Sequence, residues 1–155
     1  MARRRVVITG LGIVSPVGNS VEQAWQNILA GRSGIARITR FDVSTFPVQI
    51  GGEVKEFDIG DYLSPKEARR MDTFIHYGMA AGIQAIKDAG LEAHPANAER
   101  IGVAIGSGIG GLPLIEETRD EFIKSGVRKI SPFFVPGSII NMISGNLSIM
   151  YGYKG

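Results

Sequence analysis

The residues with the clearest chemical potential form a glycine-rich loop, GSGIGG, from Gly106 to Gly111. Its glycines at 106, 108 and 111 have the G-x-G-x-x-G spacing that lets backbone N–H groups approach a pyrophosphate. The basic pair Arg128-Lys129 could then meet a 2′-phosphate, so one hypothesis is an NADP-binding loop. Two features weaken it, because Pro113 should delay the next helix and no strand ending in an acidic residue follows about 20 residues on.

A cluster of three cations, Lys66, Arg69 and Arg70, has the i, i+3, i+4 spacing of one helix face. Such a face is often only solvated, but it can also steer an acidic partner toward a binding surface. A non-catalytic interaction module would carry the same feature. That function therefore stays open as an alternative to an enzyme.

Composition excludes several classes of function. The 155 residues include no cysteine, so thiol catalysis, disulfides and cysteine-ligated metal are excluded within them. His76 and His94 have no acidic residues at metal-ligand spacing, and we predict no metal site. The net charge is only +2, and no basic face is interleaved with stacking aromatics, so nucleic acid is not an expected partner.

Capping residues predict three helices that would hold these groups in place. A serine followed by Gln or Glu three residues later marks the first two starts, and glycines mark their ends. The second helix is rich in small residues from Gly78 to Ala89, which lets another backbone approach, so it should be central. The predicted limits are Ser20 to Gly31, Ser64 to Gly90 with a restart at Asp72, and Leu114 to Lys124.

Two short β-branched runs, Val6 to Thr9 and Ile101 to Ile105, are typical of buried strands. A strand followed directly by a helix indicates an α/β protein. Between Arg32 and Leu63 the pattern is irregular, and we expect an excursion over the surface.

The segment from Ile130 to Tyr153 contains no charged residue. Prolines, glycines and asparagines cut its apolar runs below the roughly 20 residues that a bilayer requires, so we expect enclosure by protein and no membrane partner. Pro136 suits the first turn of a helix. Five apolar residues would share one face of that helix: Ile139, Ile140, Ile143, Leu147 and Met150.

The basic start, Arg3-Arg4-Arg5, followed by an apolar run has the outline of a secretory signal. Gly10 and Gly12 dilute that run, and no cleavage site of small residues follows. We therefore expect a cytoplasmic protein.

Several motifs are long enough to identify a family. They are VVITGLGIVSPVGN from Val6, LAGRSGI from Leu29, KEARRMDTFIHYG from Lys66, IGSGIGG from Ile105, and RKISPFFVPGSIINMISG followed by YGYKG. In this order they resemble the beta-ketoacyl-[acyl carrier protein] synthases of bacterial fatty acid synthesis, the type II members in particular. The resemblance implies an α/β fold of the thiolase-like αβαβα type, with residues 1–155 as the N-terminal portion of the synthase domain.

The activity that the resemblance implies is decarboxylative Claisen condensation, in which malonyl-[acyl carrier protein] elongates an acyl group without a cofactor. The family's nucleophile is a cysteine a short strand beyond YGYKG, and its two catalytic histidines also lie later. By resemblance this segment holds no catalytic residue and should be inactive alone.

The resemblance also assigns binding roles. Ile109 would stand at the entrance of the acyl pocket, and Phe134 would reach across a homodimer interface, with Ser138 nearby. An acidic acyl carrier protein would dock on five cations: Lys66, Arg69, Arg70, Arg128 and Lys129.

Overall fold

A computed structural model describes residues 4–92, 94 and 96–155; Arg3, from the basic start of the sequence, lies outside them. The elements in chain order are α1 (Val21–Leu29), β1 (Ile35–Arg37), β2 (Ile50–Gly52), α2 (Pro65–Ala68), α3 (Thr73–Asp88), α4 (Leu112–Ser125), α5 (Phe134–Ser138) and α6 (Met142–Tyr151). Short 3₁₀ turns lie at Ile59–Asp61, Ala98–Arg100 and Val127–Lys129.

Helix α1 begins and ends where its capping residues predict. The Ser20 side chain accepts a hydrogen bond from the backbone N–H of Gln23 at 3.2 Å. Gly31 has a φ of +66°, and the Arg32 N–H reaches back to the Asn27 carbonyl at 2.9 Å. This is the left-handed closure expected of a terminal glycine, so both predicted ends are confirmed.

The helix predicted from Ser64 to Gly90 with a restart at Asp72 forms as two helices, α2 and α3. Ser64 and Glu67 form a reciprocal capping box at the start of α2. The helix ends at Ala68, and α3 restarts after Asp72, whose side chain caps the N–H of Phe74. The predicted start and the predicted restart are both confirmed.

Helix α3 lies at the centre of the core, as its small residues predict. Ile75 is completely buried. A Cβ on Gly78 would lie 2.5 Å from Cδ1 of Ile143, and Gly82 faces Leu147 in the same way. Two glycines four residues apart thus meet two apolar residues four residues apart on α6, which brings the helix axes close together.

The N-terminal segment also crosses α3 through glycine. A Cβ on Gly12 would overlap the Ala81 carbonyl oxygen and lie 2.8 Å from the Ala85 nitrogen. The neighbouring Leu11 N–H donates to Asp88 Oδ2 at 2.9 Å. Backbone therefore packs directly on backbone at this crossing.

The two predicted buried strands are not formed. Val6 is 89% exposed, and residues 101–105 alternate between half-buried and exposed. The Ile105 N–H donates to Ser144 Oγ at 2.9 Å instead of to a neighbouring strand. A strand needs a partner for its backbone hydrogen bonds, and within residues 4–92, 94 and 96–155 no segment pairs with either run.

The region from Arg32 to Leu63 is more ordered than its irregular pattern predicts. Strands β1 and β2 pair antiparallel, with Ile35 opposite Gly52 and Arg37 opposite Ile50. The sequence did not predict this short pair, which lies within the expected excursion over the surface.

The uncharged tail forms two helices and is only partly enclosed, so the prediction of one continuous buried helix is wrong. Helix α5 ends because its last carbonyls have other partners: Gly137 O accepts from Asp72 N, and Ser138 O accepts from Gly111 N. In α6, Leu147 is buried, whereas Ile149 is 79% exposed. One face of the tail packs on α3, and another is open.

Candidate functional site

The glycine loop, residues 106–111, is fixed at both ends and open in the middle. At one end Ile105 N–H is held by Ser144 Oγ at 2.9 Å. At the other, Gly111 N–H donates to the Ser138 carbonyl at 2.9 Å. Between them, a Cβ added to Gly108 would meet nothing within 4 Å, and Ile109 is 71% exposed.

The loop meets helix α5 at Ser138, so the structure brings together two of the three residues assigned to the acyl pocket. Gly110 has a φ of +88°, and a Cβ there would lie 2.7 Å from the Ser138 carbonyl oxygen. The Ser138 side chain is buried and donates to the Val135 carbonyl at 3.3 Å. Phe134, the third residue, is half-buried at the first position of α5.

Asp72 joins these segments, although sequence reasoning identified it only as a helix start. Its Oδ2 accepts from Leu114 N at 2.8 Å, and its backbone N–H donates to the Gly137 carbonyl at 3.1 Å. A Cβ on Gly111 would lie 3.1 Å from the Asp72 carboxylate. The Leu114 and Gly137 contacts are long-range, so local sequence gave no signal for them.

The assigned cations are all exposed, but their arrangement differs from the predicted helix face. Helix α2 ends at Ala68, so Arg70 lies beyond it because the backbone turns to cap α3. The Arg70 guanidinium stacks over the Phe133 ring at 4.2 Å, a favourable cation–π distance. Phe133 lies four residues after Lys129. The stack therefore joins Arg70, which follows α2, to the segment that carries Arg128 and Lys129.

One anion lies among these cations. Glu67 accepts hydrogen bonds from the side chain and the backbone N–H of Ser64. These hydrogen bonds, from the side chain first, lower the pKa of Glu67 below its usual value. The carboxylate stays ionised at neutral pH, as an ordinary glutamate does, and reduces the positive charge of the patch.

The geometry is unfavourable to the NADP hypothesis. Pro113 lies in the first turn of α4, which begins at Leu112 without the predicted delay. However, the Leu114 N–H is already held by the Asp72 carboxylate, and the Gly111 N–H is held by Ser138. An anion that occupies a helix start would repel the phosphates that such a start attracts.

Among the described residues, the remaining ionisable side chains form no further candidate site. His76 Nε2 lies 2.9 Å from the Ala68 carbonyl, a contact within the fold that leaves this nitrogen engaged. In the part of the chain that the structure describes, no cluster of three His, Asp or Glu side chains could hold a metal ion. Within the same residues, no helix has both the length and the apolar character to cross a bilayer.

Comparison with known proteins identifies what this arrangement is similar to. The family model described as "Beta-ketoacyl synthase, N-terminal domain" matches residues 3–155. The 3-oxoacyl-[acyl-carrier-protein] synthase 2 of Vibrio cholerae is 59% identical over 155 residues, which is 100% of this chain and 37% of that protein. The protein of the same name from Coxiella burnetii is 57% identical, with the same coverage. The chain thus spans a little over a third of the length of these curated relatives.

Solved structures show the same fold. A beta-ketoacyl synthase from Burkholderia phymatum superposes with a TM-score of 0.77 at 25% identity, over 99% of this chain and 38% of that one. The predicted α/β fold of the thiolase-like type is confirmed by this likeness. The match covers only part of that larger chain.

Proposed function

Because the chain belongs to the beta-ketoacyl synthase family, as its N-terminal domain, we propose that it is part of a condensing enzyme of fatty acid biosynthesis. The enzyme elongates acyl-[acyl carrier protein] with malonyl-[acyl carrier protein]. The main support is the name shared by relatives up to 59% identical across the whole chain. The proposed location is the cytoplasm.

The proposed reaction has two stages. An acyl group moves from the carrier thioester to a cysteine thiol of the enzyme, whose proton goes to the carrier thiol that is released. Malonyl-carrier then loses CO₂, and its carbanion attacks the acyl thioester, which forms 3-oxoacyl-carrier and frees the thiol. This chain has no cysteine, so the nucleophile belongs to another part of the enzyme, and residues 1–155 act as the N-terminal portion of its synthase domain.

The proposed role of the glycine loop is to admit the acyl chain. Ile109 is the gate, and Phe134 and Ser138 border the pocket. The loop suits this task because it is fixed at Ile105 and Gly111, while glycines without a Cβ flank the gate residue. Such neighbours allow large backbone torsion changes, which a moving gate requires.

The proposed carrier surface consists of Lys66, Arg69, Arg70, Arg128 and Lys129. All five are exposed, and an acidic carrier protein would be attracted by their field. Charges of this kind mainly raise the encounter rate and orient the partner. The Arg70 stack on Phe133 adds rigidity, because it restricts the guanidinium before the carrier arrives.

The proposed assembly is a homodimer that buries the open face of the tail. Val135, Ile140 and Ile149 are exposed large apolar residues in that region. Obligate interfaces are large and apolar, which fits an uncharged surface of this kind. Phe134 would reach the partner's acyl pocket from there.

A chimera tests the proposed function. This chain would replace the matched 37% of the Vibrio cholerae relative, and the purified protein would be given acyl-carrier and malonyl-carrier. We expect malonyl-dependent 3-oxoacyl-carrier, detected by mass spectrometry, and no product from the 155 residues alone. A soluble, dimeric chimera that makes no product would contradict the proposal.

A further inference from the structure

Asp72, the residue that caps the start of α3, has a buried carboxylate. Only 7% of the surface of Asp72 is exposed. Among the described residues it has no ion-pair partner. Burying an ionised group is costly unless hydrogen bonds compensate, so the partners of this carboxylate show which parts of the fold hold it.

The hydrogen bonds of Asp72 join three helices. Oδ1 accepts from Phe74 N at 3.3 Å in α3, and Oδ2 accepts from Leu114 N at 2.8 Å in α4. The backbone N–H donates to the Gly137 carbonyl of α5 at 3.1 Å. Hydrogen bonds to a charged acceptor are stronger than neutral ones, so the junction is firm.

The same residue borders the fixed end of the glycine loop. A Cβ on Gly111 would lie 3.1 Å from Asp72 Oδ2 and 2.8 Å from Ser138 Cα. Gly106 and Gly108, by contrast, have nothing within 4 Å of such a Cβ. The loop therefore has a firm end at Gly111, which Ser138 holds and Asp72 borders, and an open middle that carries Ile109.

We propose that Asp72 is a positioning residue that sets how easily Ile109 moves, and through it the acyl-chain length that the enzyme accepts. The inference rests on the proposed gate function of the loop. When both carboxylate oxygens of Asp72 accept hydrogen bonds, the end of the loop at Gly111 stays in place. Any movement of Ile109 must then come from backbone torsion changes at the glycines before it. A weaker junction lets the whole end of the loop shift, which lowers the cost of opening for long chains.

Two substitutions in the chimera isolate this role. Asp72→Asn has one carbonyl oxygen for two N–H donors. Asp72→Ser caps a helix about as well as Asp but is too short to serve both Phe74 and Leu114. Asp58→Asn is the matched control, because Asp58 caps the 3₁₀ turn Ile59–Asp61 through Gly60 N–H and has no hydrogen bond to the loop or to α4.

The measured quantity is the ratio of kcat/KM for a long-chain acyl-carrier to that for a short-chain one. We expect both Asp72 variants to raise this ratio by about tenfold, as the loss of one charged hydrogen bond predicts. Hydrogen exchange at the Leu114 amide should speed up in the same variants. Asp58→Asn should leave both quantities unchanged.

The outcomes separate this inference from the function on which it rests. If the unsubstituted chimera makes no product, the proposed function fails first. If it is active and the Asp72 variants lower both substrates equally, or leave the ratio unchanged, Asp72 only supports the fold and the inference is wrong. Failure of both variants to fold would overturn it in the same way.

Discussion

Among single residues, Glu67 is a negative charge beside three cations of the proposed carrier surface, Lys66, Arg69 and Arg70. Hydrogen bonds from Ser64 lower the pKa of Glu67 below its usual value, so this charge also persists in mildly acidic solution. In the chimera, Glu67→Gln should raise kcat/KM for an acyl-carrier roughly twofold to fivefold at low salt, the size expected for an exposed charge pair. Arg69→Glu should lower it, and both effects should fade at high salt.

Glutamine at this position also completes a capping box, so helix α2 should stay intact in the Glu67 variant. Glu22→Gln on α1 is the matched control, since it removes the same charge from another helix. Equal kcat/KM values for Glu67→Gln and Glu22→Gln would show that Lys66, Arg69 and Arg70 do not steer the carrier.

Residue-scale prediction from sequence succeeded where the signal was local. Ser20 and Ser64 mark the starts of their helices by the spacing to Gln23 and Glu67 alone. The cap at Asp72 was predicted, but its bonds to Leu114 and Gly137 were not, because these partners lie 42 and more residues along the chain. Whether Ile109, Phe134 and Ser138 line a pocket stays a prediction.

Between elements, the tightest packing is the crossing of the N-terminal segment over α3. Gly12→Ala should lower the free energy of unfolding of the chimera by about 1–3 kcal/mol, the usual cost of overpacking. The new methyl group would collide with the Ala81 carbonyl, which is backbone and cannot turn aside. Urea denaturation measures the change.

Gly108→Ala is the control for that substitution, because a Cβ there meets nothing within 4 Å. Its unfolding midpoint should match the unsubstituted chimera. A Gly12→Ala midpoint equal to that of Gly108→Ala would show that the crossing is loose.

The helices were predictable and the strands were not, for a physical reason. A helix satisfies its own backbone within a local stretch, so caps at Ser20, Ser64 and Asp72 define it. A strand is completed only by a neighbour. The runs from Val6 and Ile101 have the correct composition but no neighbour among the described residues, and the run from Pro136 breaks because Asp72 and Gly111 use its carbonyls.

The molecule as a whole exposes more large apolar surface than a self-sufficient domain should. Val6, Val7 and Ile8 are all exposed. A groove of about 440 Å³ is lined by Leu11, Gly12, Ile13, Val21, Ala24, Trp25 and Ile28. Exposed patches of this kind indicate a surface that is covered in the functional protein. The 155 residues alone should therefore self-associate, which sedimentation velocity would detect.

The most direct test is to co-express these 155 residues with the remaining part of the Vibrio cholerae relative as two separate chains. If each piece completes the core and site of the other, they should purify together and form 3-oxoacyl-carrier from acyl-carrier and malonyl-carrier. If the 155 residues instead purify as a monodisperse monomer, and the two pieces together yield no product, the account is contradicted.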